Sequence, residues 1–187
     1  MTATLTLLKT RKSPKVFDLT DPGPSPAEID EMLAIASRVP DHGKLTPWRF
    51  IVFEGAAREQ AGEVIAGVFA AQNPDADTDR LALERGRLTR APLVIAVVST
   101  AGPHAKIPEW EQTLSAAAAA TLLVVSAHAH GYAATWLTEW YAYDADARAA
   151  LGLAANERFI GFIHIGTLAR PQEDRPRPAL NDIVTRY

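Results

Sequence analysis

The 187-residue sequence contains no cysteine. That excludes disulfide staples, thiolate metal centres and a cysteine nucleophile, and it agrees with a reducing compartment. There is no G-x-G-x-x-G after a strand-like segment, no G-x-x-x-x-G-K-[ST] phosphate loop and no G-x-S-x-G elbow. A Rossmann dehydrogenase, a P-loop nucleotidase and an α/β-hydrolase are set aside accordingly. Metal-ligand spacing is missing too: no H-E-x-x-H occurs, and His128 and His130 stand two apart, so on a helix they point to different faces. Nor is there a surplus of positive charge. With 19 Lys and Arg against 22 Asp and Glu, the net of −3 argues against a general nucleic-acid binder. Met1 to Leu8 lack a cationic segment ahead of an apolar one, so no secretory signal is expected and a cytoplasmic location is.

What is present reads as an ordinary folded chain: 48% of residues are apolar and 22% charged, far from a disordered composition. The length predicts one domain over residues 1–187, with the Pro- and Arg-rich stretch 170–187 as a C-terminal arm. Ser25, Pro26 and Glu28 open a helix with a capping box, and Ile29, Met32, Leu33 and Ala36 continue it to about Arg38. Strands are expected at Trp48–Phe53, Leu93–Ser99, Tyr132–Leu137 and Phe159–Gly166, and helices at about Ala57–Ala71, Asp77–Thr89 and Ala145–Leu151. Leu93–Ser99 is apolar throughout, as a strand covered on both faces would be.

Between Glu111 and Glu139 no Asp, Glu, Lys or Arg occurs, a run long enough to span a bilayer. Its abundant alanine, the polar Ser115, Ser126, His128 and His130, and the lack of flanking basic clusters favour a core helix over about Pro108–His130. A helix apolar all round is hard for a small domain to hide alone, which points to a homodimer built around it. Together these elements indicate an α+β or α/β layered domain.

Several clusters could carry chemistry. Arg11-Lys12-Ser13 places two cations beside a hydroxyl, which suits a phosphate, although a solvated basic terminus fits the same spacing. Arg38-Val39-Pro40-Asp41-His42, followed by Pro47-Trp48, sits where a helix gives way to a loop. Arg38 there can simply complement the helix dipole and Asp41 cap a turn; alternatively, Arg38 and His42 can meet a flat anionic heterocycle. Trp110 is either a core anchor or a pocket wall. Thr135-Trp136-Leu137-Thr138 ends a strand, where layered folds commonly place ligands, yet Trp136 also fits a plain core position. His128 reads as a hydrogen-bonded residue near a helix end. For Arg175 and Arg177, phosphate and solvent both remain open.

Taken in order, R-K-S at 11–13, R-V-P-D-H at 38–42 with P-W at 47–48, R-A-P at 90–92, K-I-P-E-W-E-Q at 106–112, Gly131 to Thr138 and Phe162 to Thr167 resemble the nitroreductase family of flavoproteins, especially its short bacterial members. The resemblance implies an α+β fold with a mixed central sheet flanked by helices, and an intertwined homodimer with FMN at the interface. It implies hydride transfer from NAD(P)H through the flavin to a flat acceptor such as a nitroaromatic or quinone, with no metal and no catalytic side chain. Arg11, Lys12 and Ser13 would hold the phosphate and ribityl chain. Arg38 and His42 would reach the flavin from the partner subunit, and Trp136, Leu137 and Thr138 would line the isoalloxazine ring. Lys12 stands where many relatives carry a second Arg, which keeps the charge but loses the planar fork. Residues 126–131 match a region linked to nicotinamide binding. A flavin-binding module without turnover, or flavin fragmentation or dehalogenation on the same scaffold, is the alternative. Neither a nucleic acid nor a membrane is expected as a partner.

Overall fold

Between Leu93 and Ser99 an apolar, largely β-branched run forms a strand, and between Trp48 and Glu54 a run rich in aromatic and β-branched residues forms its neighbour. The computed structural model describes residues 2–187, so Met1 of the stretch read for a signal lies outside the described residues. In chain order the elements are α1 (Ala3–Thr10), β1 (Leu19–Thr20), α2 (Pro26–Ala36), β2 (Trp48–Glu54), α3 (Ala56–Gln72), α4 (Thr78–Arg85), β3 (Leu93–Ser99), α5 (Glu109–Ala129), β4 (Ala133–Leu137), α6 (Trp140–Tyr143), α7 (Ala145–Ala150), β5 (Arg158–Leu168) and α8 (Leu180–Ile183). The capping box at Ser25 and Glu28 forms as its spacing predicts. That helix stops at Ala36, two residues short of the expected end, where the Ser37 hydroxyl donates to the Leu33 carbonyl.

β5 is the axis of the sheet. It pairs with β3 along one edge and with β4 along the other, β1 takes up the next two residues of β5 beyond β4, and β2 lies outside β3. Every described pair is antiparallel, so the mixed sheet expected from the resemblance is corrected for the single chain. β3 and β4 do run in the same direction, but the crossover through α5 delivers β4 to the far side of β5, which separates them. The α+β class itself stands.

Strand alternation sends Leu93, Ile95, Val97, Ile163 and Ile165 toward Ile29 and Met32 of α2 and toward Ala120, Leu123 and Ala127 of α5. Val94, Ala96, Val98, Phe159 and Phe162 face the opposite way, against Ile65, Leu88 and Tyr141. All seven residues of β3 are buried, as its unbroken apolar sequence demands. Each large aliphatic side chain fully buried here contributes about 1.5–3 kcal/mol relative to exposure. α5 is long and apolar enough to cross a membrane by those criteria alone, yet half of its most apolar window is buried inside the protein. Ala116, Ala119 and Ala120 are fully buried, and their small side chains let the helix lie close to its neighbours. It is a core helix.

One polar group sits deep in this core. His164 of β5 is fully buried opposite Val94 and Thr135, and neither ring nitrogen has a hydrogen-bond partner. Burial, helped by the Arg90 charge and only partly opposed by Glu139, pushes its pKa down to about 3. In the unfolded chain the imidazole takes up a proton near pH 6.5. Between those values the unfolded state binds more protons, so stability falls as the pH falls, by about 1 kcal/mol per pH unit from this group. Urea unfolding from pH 7 to pH 4 is expected to show that loss, and His164→Leu to flatten it.

Candidate functional site

The basic segment near the N-terminus is an extended strap leaving α1, for which Arg11 is the C-cap. Val16 and Leu19 anchor it by packing with Ala91 and Ala133. Asp18, 4% exposed, then ties it to the far end of the chain. Its carboxylate accepts from Arg170 Nε at 2.7 Å and from Gln172 Nε2 at 2.8 Å, while Lys12 Nζ donates to the Gln172 carbonyl at 2.6 Å. These bonds bring the tail alongside the strap. The result is a pocket of about 110 Å³ lined by Arg11, Lys12, Ser13, Glu173, Asp174, Arg175 and Arg177. Four cations face two carboxylates, one of which is already paired with Arg177 at 2.6 Å, so the lining carries an excess of two positive charges. Arg11 Nη1 donates to Ser13 Oγ at 3.3 Å, leaving that hydroxyl's own proton free for an oxyanion.

Arg11 and Ser13 also border a second recess, of about 160 Å³, whose other walls are Thr121 and Val124 of α5 and Trp136 of β4. Of the three residues expected to line a ring, only Trp136 presents its side chain there. Leu137 points to the opposite face of the strand and packs on Val16, Leu19, Ala91 and Ala133, and Thr138 is exposed beyond the strand end. Any part those two take in the recess falls to their backbone.

Arg38 and His42 are elsewhere. Both are exposed, and neither borders the recess of Arg11 and Trp136. Asp41 caps the turn after Pro40, accepting from the Leu45 and Thr46 amides at 3.1 and 2.8 Å. His42 Nδ1 lies 2.7 Å from Glu111 of α5, in a shallow recess with Pro40, Leu114, Ser115 and Ala118. Trp110 is 70% exposed, so within the chain it is neither core anchor nor pocket wall.

The histidines at the end of α5 sit in different surroundings. In His130, Nδ1–H donates to the Ser126 carbonyl at 2.9 Å and Nε2 lies 3.3 Å from Glu31, which together hold its pKa up. His128 lines an apolar recess beneath Lys12 with Pro14, Ala133 and Leu168, and its Nε2 is buried without a partner. Burial and then the Arg11 charge hold its pKa down, only partly opposed by hydrogen bonding with the Ala134 and Lys12 backbone.

Directly after β4, Glu139 collects three donors. Arg87 Nη1 approaches at 2.8 Å, Arg90 pairs through Nη1 and Nη2, and Tyr141 donates its hydroxyl at 2.9 Å. Burial opposes the charge on Glu139, but the two guanidinium groups outweigh it and hold the carboxyl below its ordinary value. Arg87 also forks onto the buried Glu84. This network clamps the chain that leaves Trp136. Sequence reasoning missed Asp18, Gln172 and Glu139, whose arginine, lysine or carboxylate partners lie far along the chain, and it left Arg175 and Arg177 open because the strap they meet is more than 150 residues away.

The sequence model of the nitroreductase family matches residues 8–167. A protein of Escherichia coli strain K12 named "Putative NAD(P)H nitroreductase YdjA" is 33% identical over 164 residues, which cover 87% of each chain. Among solved structures, a nitroreductase-like family protein from Bacillus cereus superposes with a TM-score of 0.87 at 20% identity, covering 100% of this chain and 97% of that one. A nitroreductase with bound FMN from Bacteroides fragilis gives 0.71 at 20% identity over the whole of both chains. These likenesses establish the fold.

The clamp after β4 is testable. Glu139→Leu leaves Arg87 and Arg90, which are only 15% and 13% exposed, short of their shared carboxylate. The expected loss of unfolding free energy is on the order of 2 to 3 kcal/mol, read from urea midpoints at neutral pH.

Proposed function

The chain belongs to the nitroreductase family, and from that premise we propose that it is an FMN-dependent oxidoreductase passing hydride from NAD(P)H to a flat acceptor such as a nitroaromatic or quinone, working as a cytoplasmic homodimer. The observation that carries the proposal is a pair of adjoining cavities that share Arg11 and Ser13: a pocket with two surplus positive charges and a recess walled by an indole. A phosphate monoester carries about −1.5 to −2 at pH 7, which matches that surplus. The donor set therefore fits FMN.

In this reading Arg11, Lys12 and Ser13 hold the phosphate and ribityl chain. Arg175 and Arg177, brought in by the C-terminal arm of residues 170–187, complete the charge complement. Trp136 supplies a wall for the ring, and the backbone of Leu137 and Thr138 borders it. FMN held there would supply the redox chemistry, hydride transfer between NAD(P)H and the acceptor. The protein's own work is orientation and electrostatics, and no side-chain nucleophile or metal is needed for it.

Arg38 and His42 serve the site of a second copy. Their separation from the Arg11–Trp136 recess within one chain supports this, as do apolar side chains left uncovered on α1 (Leu5, Leu8), α5 (Trp110, Leu114) and the tail (Leu180, Ile183). Large apolar side chains exposed on several elements fit association between copies. The burial of α5 within the fold supports a soluble enzyme.

The purified protein is expected to be yellow, with flavin absorbance bleached anaerobically by NAD(P)H, and to sediment as a dimer. Arg11→Ala is expected to weaken FMN binding by about 10- to 100-fold, the worth of one charge-assisted hydrogen bond. A colourless protein that FMN does not reconstitute overturns the proposal.

A further inference from the structure

β5 is irregular at one point. Val97 of β3 faces Gly161 and Val98 faces Phe159, so Ile160 is an extra residue with no partner in β3. Bulges of this kind re-aim the groups around them and often lie beside binding sites. Here the Ile160 carbonyl accepts the indole N–H of Trp136 at 3.2 Å.

The neighbouring Gly161 is needed for space. A Cβ on Gly161 would stand 2.0 Å from Trp136 Nε1, 2.5 Å from its Cδ1 and 3.1 Å from the Leu137 carbonyl oxygen. The indole thus occupies the volume that a side chain at 161 would fill. Trp136 packs with the cluster between the sheet and α5, and across the recess from it stand Thr121 and Val124. An indole lifted off β5 has to move into that recess.

We infer that the bulge at Ile160 and the missing side chain of Gly161 act as one positioning device. The bulge frees a carbonyl that fixes the edge of the Trp136 ring, the glycine lets the ring lie against the β5 backbone, and together they set the width of the recess that receives a planar ring. Gly161 and Ile160 touch no ligand themselves and work through Trp136. The width matters because a radial gap of about 0.5–1 Å forfeits a quarter to a half of the dispersion contact, and an intruding side chain weakens binding by steric overlap.

The inference rests on reading the recess as the ring-binding half of an FMN site, and its test keeps the two apart. Apoprotein of the wild type, Gly161→Ala, Trp136→Ala and the double variant is titrated with FMN. The Trp136 indole N–H resonance, assigned by its loss in Trp136→Phe, is followed in the apoproteins without FMN. Gly161→Ala is expected to shift that resonance and to weaken FMN at least tenfold when Trp136 is present, but less than twofold in the Trp136→Ala background. Equal losses in both backgrounds, or an unmoved resonance, overturn the inference. Should Gly161→Ala fail to fold, Trp136→Phe decides. Several-fold weaker FMN binding with an unchanged melting temperature supports the device, and wild-type affinity overturns it. A wild-type protein that takes up no FMN defeats the functional proposal, while the indole resonance still decides for or against Gly161.

Discussion

A single buried carboxylate joins the two chain segments that line the candidate site. Asp18 follows the basic strap and accepts hydrogen bonds from Arg170 and Gln172, partners more than 150 residues away. A carboxylate buried to this degree is costly unless it is paired and hydrogen-bonded, so the strap and the tail are mutually required. The same contact places Gln172 where its carbonyl engages Lys12, and it carries Arg175 and Arg177 to the pocket of Arg11. Without it, the four cations would be scattered along two flexible ends and would hold a phosphate poorly.

α5 is the other shared part. Its alanine-rich side lies in the core, Thr121 and Val124 form a wall of the recess, and Glu111 meets His42 near its start. Small side chains and an unbroken helical register let one element do all three. The β4 strand opposite contributes Trp136 and is held at its end by Glu139 and its two arginines. The recess therefore has a core helix and a clamped strand as two of its walls, with the strap of Arg11 and Ser13 closing it, and regular elements of that kind are where a planar ligand gains most from preorganisation.

Charge is distributed with the same economy. The carboxylates of Glu84 and Glu139 are paired internally with Arg87 and Arg90, and burial holds the pKa of the His164 and His128 imidazoles down. At the strap and tail, by contrast, the pocket lining keeps an excess of two positive charges. An acidic chain overall can thus present a locally cationic pocket, so net charge says little about an anionic ligand.

The sequence by itself determined the elements and the inventory. Helical and alternating periodicities, a capping box and an apolar run are local signals, and they located nearly every strand and helix longer than six residues; α1 escaped because its few apolar residues find no core to face. The ordered motifs likewise identified the family. Only the tertiary structure decided that β5 separates β3 from β4 and makes the pairs antiparallel, and that Trp136 enters the recess while Leu137 turns away. It also decided that Arg175 and Arg177 join Arg11 whereas Arg38 and His42 stand apart. The physical reason is separation along the chain. Periodicity reports which face of an element is apolar, but convergence of residues 150 positions apart is set by packing and buried pairing, which leave no local mark.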